Sequence, residues 1–448
     1  MQIGIVGGGW SGCHLALKLV EKGHHVTILE RNTDIFEAVS GNFGIRLHKG
    51  PHYPRSEKTR ERCRITHSKF CSLYPELVVE HEYAVYGLGA TDAMGNAPKV
   101  GVEDFTAVCM EDPTCRLLDL PVSEYKDLLM AADMVEPSIV VGNRLRETFR
   151  SYLQRAGVTI VYNYEVLKLQ ETATTNMTLI GVKNKRRVVY EFEKVINASG
   201  YNSVLLNSSI NENFPFSMAT MYQPCIALVF EDLHPTSEKP FSFIVMDGWF
   251  PCIMPYVDEF DSVMKKCPEN GYPMRQYILT HGSYTIMASC DNPTDAYQVL
   301  NSLTDKFVEE RIKPLCEAEI CRFWPAFKNR FRYESWKGEV LCKLKTQKEF
   351  RGSVTYAGPY GVIHVIPGKI SNIFDAEVEA LALIEKDPAT IVTNNGYSYM
   401  RGGVMDLSSN EITELPSGDG CNTSDLNTFS KLSVQPEAAG DRGPTAEK

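Results

Sequence analysis

The chain has 448 residues, enough for two domains at roughly 100 to 200 residues each. Its 46 basic and 56 acidic side chains leave a formal charge of -10, which disfavours a nucleic-acid backbone or an anionic membrane as the main partner. Thirteen cysteines form no C-x-x-C pair and no zinc-type Cys/His array, and no apolar run is long enough to span a bilayer. No metal and no membrane span are therefore expected, and a reduced, cytoplasmic setting is.

Gln2 to Val6 is a short apolar strand that runs straight into Gly7-Gly8-Gly9-Trp10-Ser11-Gly12, a Gly-x-Gly-x-x-Gly segment. Gly7 allows the tight strand-to-helix turn, Gly9 lets the backbone approach a pyrophosphate, and Gly12 lets helix and strand pack closely; Trp10 and Ser11 open the helix between them. Leu15, Ala16, Leu19 and Val20 recur at helical spacing, and Gly23 stops the helix. The next strand, His25 to Leu29, delivers Glu30, whose carboxylate suits an adenosine ribose and would repel a phosphorylated one. Strand, helix, strand and acid in register make a dinucleotide cradle.

After Glu30 the alternation stops, and the glycine-rich, polar stretch from Ser40 to Ser56 reads as a loop forming a second wall of the nucleotide site. Thr59 to Leu73 then reads as a helix and Leu77 to Leu88 as extended. Near Pro137 a strand and a helix carrying Leu145, Phe149 and Leu153 resume the nucleotide pattern, followed by strand candidates 157–162, 165–169, 185–192 and 194–200. Residues 222–332 form a different unit. Its strand candidates are 241–246 and 284–288, with one amphipathic helix over 297–312. A strand, glycine turn and strand over 353–369 precede a helix over 371–385, and from about Arg401 the composition predicts a disordered tail.

Four pieces in this order resemble the flavin-dependent oxidoreductases of the D-amino-acid-oxidase and amine-oxidase type. They are Gly7 through Glu30, the Ser40-x-Asn42-x-Gly44 loop, the Val195 to Gly200 strand end, and Gly358 to Lys369 before a helix. The resemblance implies an α/β architecture, a Rossmann-like FAD/NAD(P)-binding domain with an inserted α+β substrate domain. It divides the chain into FAD-binding segments 1–80, 137–205 and 336–395, an insertion 81–136, a substrate domain 206–335, and a tail 396–448. It implies bound FAD, with Gly7, Gly9 and Gly12 at the pyrophosphate, Glu30 on the ribose, and Arg31 and Val166 at the adenine. Ala198, Ser199 and Gly200 would pass the pyrophosphate; Ser40, Asn42 and Gly44 would flank the ribityl chain and flavin. From the late block, Gly358, Gly361, Gly368, Lys369 and Ile370 would border the flavin, with N–H groups at the helix start supporting its negative reduced form.

No second Gly-x-Gly-x-x-Gly occurs, so a dedicated NADPH domain is not expected and electrons come from the substrate or a transient donor. The expected activity is hydride removal from a small amine, amino acid or related metabolite, with oxygen or another acceptor reoxidising the flavin. The Gly50-Pro51-His52-Tyr53 stretch also resembles UDP-galactopyranose mutases, which leaves a non-redox flavin mutase or isomerase open. A nucleotide-binding scaffold without turnover stands as a third reading.

His48, His52, Tyr53 and Arg55 in the loop and His364 in the late block are the candidate catalytic groups, since imidazole takes both protonation states near neutrality. Arg46, Arg55, Arg322 and Arg351 are candidate carboxylate or phosphate clamps. Tyr222, Phe243, Trp249, Tyr256 and Tyr284 read mainly as sheet core, with a substrate-pocket lining as the alternative.

Overall fold

Two eight-stranded sheets organise the computed structural model, which describes residues 1–171, 176–200, 220–246, 248–260, 262–344, 352–358, 360–386, 389–394 and 396–403. In the first sheet the order is Ile391–Asn394, Tyr397–Met400, Val354–Ala357, Ile363–Ile366, Lys194–Asn197, Gln2–Val6, His25–Leu29 and Thr159–Val161. The five strands from Ile363–Ile366 to Thr159–Val161 run parallel. Strands covered on both faces need apolar residues at successive positions, and Ile3, Ile5, Ile28 and Ile196 are fully buried here. The helices Trp10–Glu21, Gly142–Ala156 and Ile373–Glu385 close one face through Leu15, Leu19, Leu145, Phe149 and Phe374. An antiparallel layer, Tyr164–Glu171, Met177–Lys183 and Arg186–Phe192, packs Tyr164, Leu179 and Phe192 with Val6, Leu29 and Val195.

The second sheet takes strands from three separated stretches of chain. Its order is Phe331–Leu344, Thr220–Asp232, Gln276–His281, Pro251–Tyr256, Ser242–Met246, Ala84–Gly89, Leu128–Asp133 and Arg116–Leu117. Only the Ser242–Met246 and Ala84–Gly89 pair among them is parallel. The helix Lys313–Phe323 covers it over an aromatic core of Phe230, Phe243, Trp324, Phe327 and Phe331. Arg330 stacks over Phe241 at 4.5 Å and reaches both oxygens of Asp232 at 2.9 and 2.7 Å, which anchors the end of the long strand pair.

Several expectations are corrected. The strand Phe331–Leu344 stays in the second sheet, so that unit runs to Leu344 and not to 335. Tyr397–Met400, placed in the tail by the 396–448 division, pairs with Ile391–Asn394 and Val354–Ala357; residues 404–448 lie outside the described set. The 297–312 helix is two pieces, because Leu303 turns extended and Thr304 starts a new turn by accepting the Phe307 N–H at 3.2 Å. Residues 284–288 form a loop tied to the sheet through the Cys225–Ile286 bridge. The 77–88 stretch is interrupted, with strands at Val78–Val79 and Ala84–Gly89.

Candidate active site

A cavity of about 930 Å³ runs from the carboxyl ends of the parallel strands to the face of the second sheet. Ligands of open parallel sheets bind at that edge, where strand ends and helix starts present backbone groups. One end is walled by Val6 to Ser11, Leu29 to Asn32, Tyr164 to Leu167 and Ala198 to Gly200. Gly7 holds φ +104°, and a Cβ there would lie 2.7 Å from the Ala198 carbonyl oxygen. The Trp10–Glu21 helix begins at Gly9 with no N-cap side chain and no acid in its first turn, the Trp10 N–H donating to Ser40 Oγ at a long 3.4 Å, so its dipole and remaining first-turn N–H groups suit an anion. Glu30 is buried and accepts the Gly8 and Asn32 N–H groups at 2.7 and 2.9 Å. Burial pushes its carboxyl up while those two backbone donors pull it down.

The other end is formed by Ser40, Phe43, Gly44, Ile45, Arg46, His48 and Tyr53 from the loop, Met254, Ile278, Thr280, His281 and Thr285 from the second sheet, and Gly368, Lys369 and Ile370 from the late helix start. The acids on the cavity wall, Glu30, Glu37 and Glu165, belong to the loop after the second strand and the antiparallel layer, while Arg46, Lys343 and Lys369 supply cations beyond them. Arg46 Nη1 is buried without a hydrogen-bond partner among the described residues. Lys369 Nζ lies over the Tyr53 ring, 2.8 Å from its centroid.

His48 stacks on His52 with centroids 4.3 Å apart and planes 6° apart, and Tyr53 meets its edge at 5.2 Å. Its Nδ1 lies 3.0 Å from Glu136 Oε2. Burial, then the cations Arg46 and Lys369, hold the His48 pKa well below the usual imidazole range. Burial pushes the Glu136 carboxyl up, opposed by the Tyr86 hydroxyl and the Arg46 charge.

The structure thus brings Gly7, Gly9, Trp10, Ser11, Glu30, Arg31, Ser40, Gly44, Val166, Ala198, Ser199, Gly200, Gly368, Lys369 and Ile370 to one cavity, with Arg46, His48 and Tyr53. Other candidates stand elsewhere. Gly12 is behind the wall, pressed against the Gly7 carbonyl. Asn42 turns away to the Glu37 carbonyl and Glu339 at 2.8 and 2.7 Å. Gly358 and Gly361 form the turn at the amino end of Ile363–Ile366, opposite the cavity edge. His364 is enclosed in the sheet, 3.2 Å from Asn197 and stacked on Tyr356. His52 sits behind His48 against Tyr86, and Arg55 is exposed, so neither lines the cavity. Arg322 binds the Thr91 carbonyl at 2.7 Å and Glu319, and Arg351 lies outside the described residues. Tyr222, Phe243, Trp249, Tyr256 and Tyr284 do not line the cavity either; Tyr222, Phe243 and Tyr256 are buried in the second sheet. Glu136, Tyr86, Lys343, Thr280, His281 and Thr285 escaped sequence reasoning as site residues, because none belongs to a motif with a recognisable spacing.

The donor set suits FAD on the structure's own terms: a helix start without an N-cap side chain for the pyrophosphate, a buried carboxylate for the ribose, and Gly7 and Gly8 where a Cβ would press on the Ala198 carbonyl and Ile35. A family model for FAD dependent oxidoreductases matches residues 2–260. The chain belongs to that family. This flavoenzyme is 47% identical over 436 residues to the FAD-dependent monooxygenase kojA of Aspergillus flavus, covering 96% of the chain and 98% of that protein. It is 38% identical over 387 residues to the FAD-dependent monooxygenase FPY4 of Fusarium mangiferae, covering 86% and 92%. Glycine oxidase from Geobacillus kaustophilus shares the fold at a TM-score of 0.61 and 13% identity, covering 86% of the chain and 94% of that structure. NikD, an amino acid oxidase of nikkomycin biosynthesis, does so at 0.62 and 15%, with the same coverage. The protein is therefore an FAD-dependent oxidoreductase, and no helix among its described residues is long and apolar enough to cross a membrane.

Proposed function

We propose that the flavoenzyme oxidises a small amine, amino acid or related metabolite that carries an anionic group, with oxygen or another acceptor taking the electrons afterwards. The observation that carries this reading is Arg46, a half-buried residue on the cavity wall whose Nη1 is buried and has no hydrogen-bond partner among the described residues. A buried donor of this kind costs free energy until an acceptor meets it, and a carboxylate matches its planar fork. Bound FAD supplies two-electron, hydride-accepting chemistry. Arg46 orients the substrate from its anionic end, Met254 and Ile278 exclude water, and His48, held neutral, can receive a proton.

The test is a titration of purified holoenzyme with benzoate and with benzamide, followed in the visible flavin spectrum. Benzoate should perturb the spectrum and benzamide should not. Arg46→Ala should weaken benzoate about 10- to 100-fold, the value of a charge-assisted hydrogen bond. Equal benzoate binding by the variant would refute the anchor. An anaerobic flavin-reduction screen with amino acids, amines and nucleotide sugars then selects the substrate, and conversion of a nucleotide sugar without net oxidation would favour the mutase reading.

The names of the two curated relatives support a second reading, insertion of one oxygen atom from dioxygen. The chain carries a single Gly-x-Gly-x-x-Gly cradle, so a reductant for that reaction would have to bind transiently. Labelled dioxygen separates the two: label in the organic product supports oxygenation, and label confined to peroxide or water supports dehydrogenation.

A further inference from the structure

Glu136 lies between the strands Leu128–Asp133 and Ser138–Ile139, just before Pro137, and is 3% exposed. Its Oε1 accepts the Lys49 main-chain N–H at 2.6 Å, and its Oε2 meets both the Tyr86 hydroxyl and His48 Nδ1. A main-chain N–H can only donate, and an ionised carboxylate can only accept, so a carboxylate with three donors satisfies every partner. The ring nitrogen that faces Glu136 then carries the hydrogen. In a neutral imidazole the other nitrogen keeps its lone pair. That atom, Nε2, makes no hydrogen bond to a described residue, and the ring lines the cavity. Stacking on His52 and the Tyr53 edge fix the ring plane.

We propose that Glu136 is a positioning residue that holds His48 in its Nδ1–H form, so that Nε2 receives the proton released during substrate oxidation. This rests on the dehydrogenation reading above. Converting H–C–N–H to C=N, or H–C–O–H to C=O, removes a hydride from carbon with both electrons and leaves one proton on the heteroatom. His48 Nε2 takes that proton, and the imidazolium is balanced by the Glu136 carboxylate on its other side. The remaining charged and titratable neighbours are Arg46 and Lys369, which disfavour the imidazolium, and Tyr86, Tyr53 and His52 around the ring. The base is thus neutral at rest and is stabilised once charged by a single fixed carboxylate, the arrangement in which a buried acid orients a catalytic histidine.

The experiment is a long-range proton–nitrogen correlation spectrum of holoenzyme labelled with 15N-histidine, with the His48 signal identified by its absence in His48→Asn. Wild type should show a protonated Nδ1 and an unprotonated Nε2 at neutral pH. Glu136→Gln, whose amide can donate to the ring, should lose that single form, Glu136→Asp should keep it, and Tyr86→Phe should leave it unchanged. An Nε2–H form or an imidazolium in wild type overturns the proposal, as does an unchanged signal in Glu136→Gln. If Glu136→Gln fails to fold, the wild-type spectrum alone still decides. The spectrum needs no substrate, so its failure is distinguishable from failure of the benzoate titration. With a substrate from the reduction screen, Glu136→Gln should also reduce flavin about 100-fold more slowly at unchanged FAD content, within the roughly 10²- to 10⁴-fold range of proton-transfer catalysis.

Discussion

Two glycines three residues apart in the cradle should fail in different ways when each is given a methyl group. An alanine Cβ at Gly12 would lie 1.9 Å from the Gly7 carbonyl oxygen and 3.4 Å from Ile5 Cγ2. Ordinary contact begins near 3.4 Å, so strand and helix must part by about 1.5 Å (3.4 - 1.9), and the atom in the way is backbone. Overpacking of this kind costs roughly 1–3 kcal/mol, against a gain of about 1 kcal/mol from replacing glycine inside a helix. A Cβ at Gly9 meets only Ser40 Oγ, at 3.0 Å, and Ser40 Cβ at 3.8 Å. A rotating hydroxyl can yield, which leaves an N-cap cost of order 0.5–1 kcal/mol. Gly9→Ala should therefore unfold in urea close to wild type as apoprotein and yet bind FAD at least about tenfold more weakly, about 1.4 kcal/mol. Gly12→Ala should lose both stability and cofactor. The assay pairs urea unfolding of the apoproteins with flavin-to-protein absorbance ratios after gel filtration. Wild-type FAD affinity in Gly9→Ala would remove the backbone-approach argument for this segment.

Acid should weaken the fold through His81, which sits 5% exposed between the Ser138 and Ser242 hydroxyls. Burial lowers its pKa from 6.5 to about 3, so the unfolded chain takes up the proton first and stability is lost as pH falls from 6.5 toward 3. Linkage gives about 2 kcal/mol lost between about pH 7 and pH 5; urea midpoints across that range should fall less steeply in His81→Gln, and an identical slope would refute the assignment. Asp232→Asn should destabilise by about 3 kcal/mol, because it leaves the Arg330 guanidinium, 12% exposed, without its carboxylate. A change in urea midpoint equivalent to less than about 0.5 kcal/mol, the scale of an ordinary surface substitution, would show that the stacked arginine is held by Phe241 and its aromatic neighbours alone.

The nucleotide half was legible because its signals are local. Gln2–Val6, the glycine turn, the helix and His25–Leu29 are contiguous, and each carries its own propensity and stop signal. The second sheet was harder to read, since its neighbours are set by pairing over long separations, as in Ser242–Met246 against Ala84–Gly89. Nothing local in 284–288 distinguishes an edge strand from a loop that touches the sheet at one bridge. The strand Phe331–Leu344 crosses the expected boundary because its pairing partner, Thr220–Asp232, is only one residue shorter and pairs with it from end to end.

Within the site, the decisive property that sequence withheld was direction along a strand. Gly358, Gly361, His364 and Gly368 belong to one glycine-rich block of similar composition, yet the parallel pairing of Ile363–Ile366 with Lys194–Asn197 sends Gly368 to the cavity edge and Gly361 to the opposite one. His364 falls between them and is consumed by Asn197 and Tyr356. The same logic separates Arg46 from Arg55, since Arg46 pairs with Ser138 and Arg55 lies beyond the paired segment; His48 and His52 are divided by their contacts, Glu136 for the first and the Tyr86 ring for the second. Glu136 stands two residues ahead of the Ser138–Ile139 strand. A lone acid before a proline carries no motif, so its part in the site follows from the fold that sets a carboxylate against His48, Lys49 and Tyr86 at once.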